Sequence, residues 1–101
     1  MFSGTVEPQF VREMGYSRCE FDANLKRAFR HIDYRQMDND TYVIPFEDDV
    51  VTIKLGIDRN RRIASLSMPF IEVDFSFGQL DSIQRRAFYT QFQRSFQKGG
   101  G

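Results

Sequence analysis

Ile71-Glu72-Val73-Asp74-Phe75-Ser76-Phe77 alternates apolar with charged or polar residues along its whole length. Successive side chains of a strand point to opposite faces, so this period of two predicts a strand with one face in a core and the other in water. The pattern breaks at Gly78-Gln79-Leu80 and changes period: Phe88, Phe92 and Phe96 then stand four apart. Asp81 followed three residues on by Gln84 is a capping-box signature. Together they predict a helix from about 82 to 97. Lys98 suits the negative end of its dipole, and Gly99 holds the stop position.

Upstream, Val51, Ile53, Leu55 and Ile57 alternate with Thr52, Lys54 and Gly56, the clearest strand in the chain. Tyr42, Ile44 and Phe46 alternate with Val43 and Pro45. Pro45 cannot donate to a ladder, which places that strand at an edge or pairs it on one side. Met37-Asp38-Asn39-Asp40 and Glu47-Asp48-Asp49 read as turns. Asp58-Arg59-Asn60-Arg61 is a polar connection of hairpin length. Ala64, Leu66, Met68 and Phe70 keep one apolar phase, and Ile71, Val73, Phe75 and Phe77 keep the opposite one. A one-residue slip turns a core face outward, so a bulge or bend near Pro69 is expected to restore the alignment. Short connections make the sheet antiparallel.

The first twenty residues are weakly patterned and suit a short helix or an arm lying on the domain. Asp22 is a candidate cap for a helix over about 21–32 whose narrow apolar face is Leu25, Ala28, Phe29 and Ile32. The expected fold is α+β: an antiparallel sheet of three to five strands, an N-terminal helix, and a long C-terminal helix packed on one face. A single domain over about 1–98 and a glycine tail, Gly99-Gly100-Gly101, complete the organisation.

The 101 residues include eleven Phe and four Tyr but no Trp, and Lys+Arg balance Asp+Glu at 14 each. Zero net charge argues against a general field for nucleic acid or anionic membrane. One cysteine, Cys19, cannot staple the fold, which fits a reducing compartment and a bacterial-type cytoplasmic protein. Neither a leader peptide nor a membrane span is expected.

Cys19 and His31 are the single thiol and imidazole, twelve residues apart and without a nucleophile motif. Asp38-Asn39-Asp40 opens like a calcium loop, but Tyr42, Val43 and Asp49 stand where an oxygen ligand, a glycine and a glutamate are needed. No metal, cofactor or catalytic residue is therefore expected. An enzyme working through Asp48, Asp49, Glu72 or Asp74 would need them gathered in a cleft.

The apolar arc of the last helix is wider than one docking face requires. Leu80, Ile83 and Ala87 occupy one side, and the rings continue around from it. Phe88 and Phe92 are expected to reach the sheet, with Tyr89 and Phe96 farthest round. Tyr89, Phe92 and Phe96 are thus the candidate partner-binding residues. The expectation is a non-enzymatic interaction module, a homodimer formed through this helix or a sheet edge. The alternative is nucleic-acid or anion binding by Arg59, Arg61 and Arg62 at a hairpin tip, beside basic groups at Lys26, Arg27, Arg30 and His31 and at Arg85 and Arg86.

Overall fold

A computed structural model describes residues 6–96. The elements run β1 (Gln9–Met14), α1 (Arg18–Ala28), β2 (Arg35–Met37), β3 (Thr41–Phe46), β4 (Asp49–Leu55), β5 (Arg59–Ile63), β6 (Leu66–Ser76) and α2 (Ser82–Ser95). The strands form an antiparallel sheet in the order β1-β6-β4-β3-β2, with β5 paired to β6 off that path. The class is α+β, with six strands rather than three to five. The glycine tail lies outside the described residues.

The alternation read at 71–77 sets the middle of the sheet. Ile71, Val73, Phe75 and Phe77 are buried, while Glu72 is exposed and Asp74 and Ser76 are half-buried. Tyr42, Ile44, Val51, Ile53 and Leu55 add the core-facing residues of β3 and β4. Both helices cover this one face. Phe21 of α1 packs on Tyr42, and Phe29, which caps the end of α1, stacks on Phe88 of α2 at 5.0 Å between ring centroids. On α2, Phe92 meets Phe75 edge-on at 5.0 Å and Phe88 meets Phe77 edge-on at 5.8 Å. Edge-on pairs put a ring's positive rim against its neighbour's negative face, which favours them over sandwiches.

Helix α2 begins where the capping box places it. The Asp81 side chain accepts from the Gln84 amide at 2.8 Å, and the Gln84 side chain accepts from the Asp81 amide at 3.0 Å. Helix α1 starts earlier than expected. Its cap is Ser17, boxed with Glu20, and Asp22 instead lies inside the helix. There its carboxylate accepts from the Tyr42 hydroxyl at 2.9 Å and pairs with Lys26 at 3.0 Å.

Strand β1 occupies part of the weakly patterned N-terminal stretch and pairs with β6 from Gln9↔Ser76 to Met14↔Ile71. Arg12 stands on its core-facing phase and donates to the Tyr89 hydroxyl. That arginine breaks the hydrophobic alternation that would have marked the strand.

The hairpins turn on Asp38, Glu47 and Ala64, three non-glycine residues with φ of 49°, 56° and 55°. At Gly78, φ is +59°, and an added Cβ would lie 2.8 Å from Asp49 Oδ2. Glycine suits that site, because a Cβ there would meet a disfavoured backbone region and push aside the Asp49 carboxylate. The same Asp49 oxygen accepts from the Gln79 amide at 2.6 Å, tying the β3–β4 turn to the loop before α2.

The slip at Pro69 falls within one long strand, as one of the expected arrangements has it, but the apolar phase is not brought back to the core. Strand β6 runs unbroken from Leu66 to Ser76. The bulge sits in its neighbour: β4 pairs with β6 as far as Leu55↔Val73, and β5 resumes at Arg59↔Phe70, so three residues stand opposite two. Leu66, Met68 and Phe70 consequently share the phase of Glu72 and Asp74, opposite the core. The strands there have outrun the helices, and every residue from 57 to 68 is exposed.

Candidate functional site

The rings expected to serve a partner lie within the domain. Phe92 is fully buried and Phe96 is 8% exposed. Phe96 stacks on Phe92 at 4.2 Å and packs against Phe21 at 4.8 Å, and its carbonyl accepts from the buried Tyr16 hydroxyl. Tyr89 is half-buried, edge-on to both Phe10 and Phe75. The wheel is turned from the expected setting: Ile83 is 79% exposed and Ala87 also faces solvent. Burying rings removes more apolar area from water than burying Ile83 and Ala87, and α2 has rotated accordingly.

The arginines expected at a hairpin tip lie along β5, since the tip itself is Ala64-Ser65 between the paired Ile63 and Leu66. Cross-strand partners share a face, so Arg59/Phe70, Arg61/Met68 and Ile63/Leu66 form one side of the two-stranded β5–β6 ribbon. Asn60/Pro69 and Arg62/Ser67 form the other. On the first side Ile63 is 54% exposed, Leu66 63% and Met68 50%. Phe70 is half-buried, and two guanidiniums lie over its ring, Arg61 at 4.4 Å and Arg59 at 5.6 Å from the centroid. Arg61 also pairs with Glu13 of β1 at 2.9 Å. A cleft of about 130 Å³ opens between the ribbon and the end of β1, walled by Met68, Phe70, Ile63 and Gly15.

Past the ribbon, this side continues into the helix-free face of the sheet. Glu13 lies directly opposite Glu72, and Val11 opposite Asp74. Lys54 lies opposite Asp74 on its other side. Glu72 and Asp74 flank a shallow groove on this face and are not buried together. Like charges directly across a ladder repel. Arg61 relieves Glu13, but among the described residues Glu72 has no ion-pair partner.

The other basic groups are partly engaged by the fold. Arg85 donates to the carbonyls of Val6 and Leu80 at 2.6 and 2.8 Å. Lys26 pairs with Asp22, which raises its pKa through the hydrogen bond first. Asp49 is held below the usual carboxylate range by the amides of Gln79 and Val50. Burial, then the Asp22 hydrogen bond, pushes the Tyr42 hydroxyl well above its ordinary value. Cys19 lies in the first turn of α1 and His31 beyond its C-terminal end, so most of that 11-residue helix, about 16 Å long in all, lies between them. Among the described residues no group of three or more His, Cys, Asp or Glu could hold a metal ion. Nor is any helix there long and apolar enough to cross a membrane.

Sequence reasoning missed the ribbon because β5 reads as a polar loop. The signal that could have found it was the apolar phase of Leu66, Met68 and Phe70, which has no core to enter. Comparison with protein-family models, with curated proteins and with solved structures gives no match.

Proposed function

We propose that this protein is a non-enzymatic interaction module that docks on another polypeptide through the apolar side of the β5–β6 ribbon. The observation that carries the reading is the row Ile63, Leu66 and Met68, each at least half exposed on one side of the ribbon. Apolar side chains grouped this way mark contact surfaces. An isolated two-stranded ribbon is marginal in water, so a covered ribbon is also a better-ordered one.

Magnitudes say how much surface is needed. Covering the exposed halves of three such side chains contributes about 1 kcal/mol each. Association costs at least about 4 kcal/mol in lost freedom. The ribbon therefore anchors a contact that must extend onto neighbouring surface. Anion binding by Arg59, Arg61 and Arg62 is disfavoured, because Glu13 already pairs with Arg61 and would repel an anion there, and the balanced net charge supplies no general field.

A photoreactive residue placed at Met68 tests the reading, with one at Ile83 as control. The expected result is a discrete polypeptide adduct from Met68 and none from Ile83. Equal diffuse labelling from both, or capture of nucleic acid at Met68, contradicts it.

A further inference from the structure

We infer that the chain docking on the ribbon is a second copy of this protein, related by a twofold axis through the helix-free face; the inference rests on the ribbon-docking reading above. A twofold contact uses the same patch on both copies, so the patch must be complementary to itself. This face has that property. Its ribbon half carries Arg59 and Arg61 around Phe70 and Met68, and the sheet next to the ribbon carries Glu13 and Glu72, with Asp74 and Lys54 opposite each other beyond them and Arg35 at the far edge. Turned over upon itself, the face lays each ribbon across the carboxylates of the other copy. Every arginine–carboxylate pair then forms twice.

Two residues are left over for this purpose. Arg59 has no ion-pair partner among the described residues, and Glu72 faces the like charge of Glu13 without one. A guanidinium from outside would relieve that repulsion. The area is adequate as well. The six strands hold 38 residues, which at about 3.3 Å along and 4.8 Å across each make a face of about 600 Å². That approaches the roughly 800 Å² per partner of a standard interface, and the ribbon's edges and turn supply the remainder. The apolar row supplies the centre that charge pairs alone would lack.

Sedimentation equilibrium of the wild-type chain, of Arg59→Glu, of Glu72→Arg and of their equimolar mixture tests this. Wild type is expected to show a concentration-dependent dimer that weakens with salt. Each single variant should dissociate about tenfold more readily, since each places like charges across the contact. The mixture should recover a dimer of wild-type strength, because in the heterodimer one pair is reversed and the other native and both match, whereas either variant's homodimer sets like charges against each other at both pairs. Both positions are exposed, and unchanged circular dichroism and melting confirm that the variants fold. A wild type that stays monomeric at every concentration, or a mixture that fails to associate, overturns the inference. A monomer that still gives a discrete adduct with a different protein at Met68 overturns it and leaves the docking reading standing. A monomer with no such adduct removes both.

Discussion

Phe92 and Phe96 stack at 4.2 Å between ring centroids, with Phe21 and Phe75 against the same pair. The aromatic excess of α2 is thus a core property. Phe92→Ala is expected to lose about 3–5 kcal/mol of stability through the cavity it leaves. That is a large part of the roughly 5–15 kcal/mol a domain has. Ile83→Asp, on the outer side of the same helix, should stay within about 0.5 kcal/mol of wild type. Urea unfolding of both variants checks the contrast.

Tyr42 is buried, and its hydroxyl donates to Asp22. Tyr42→Phe should cost about 1 kcal/mol at neutral pH. The alkaline side follows from the raised pKa. The folded state holds the proton where the unfolded chain has released it, so this stability is full below about 10 and falls as pH rises toward the folded-state value. Tyr16 and Tyr34 are raised too, mainly by burial, and act in the same direction. Stability measured by urea unfolding across this range should decline less steeply for Tyr42→Phe than for wild type.

Asp49 has the opposite sign. Its pKa is lowered by the Gln79 amide first and the Val50 amide second, so its contribution is present above the ordinary carboxylate value and lost as pH falls through the folded one. Asp49→Ala should lower the melting temperature at neutral pH, and the gap to wild type should close in acid. A thermal-melt series against pH measures this.

How far the sequence carried depended on whether a residue's neighbours were close in the chain. Alternation at Val51–Ile57 and Ile71–Phe77 and the Asp81/Gln84 box are local signals, and each became the expected element, except that β4 ends at Leu55 and leaves Ile57 71% exposed. The Ser17/Glu20 box is equally local and caps α1, whereas the expected cap Asp22 is given another use by its partners Tyr42 and Lys26. Strands β1 and β5 are edges fixed by pairing with β6, and Arg12 and Arg59–Arg62 hide them. The facing of α2 rested on which apolar arc fits the sheet, which no wheel can tell. The ribbon site was out of reach for the same reason: it exists because β5 and β6 outrun the helices.

Ala64 opens the ribbon turn at φ 55°, where a Cβ is disfavoured. Ala64→Gly should therefore stabilise the ribbon locally by about 1 kcal/mol. Slower amide exchange in residues 59–70, with unchanged exchange in α2, is the expected readout.

The most direct measurement is amide hydrogen exchange of residues 59–70 as protein concentration is raised. The account predicts that their protection grows with concentration while that of α2 stays constant. Exchange in the ribbon that remains fast at every concentration, in a chain that remains monomeric, would contradict it.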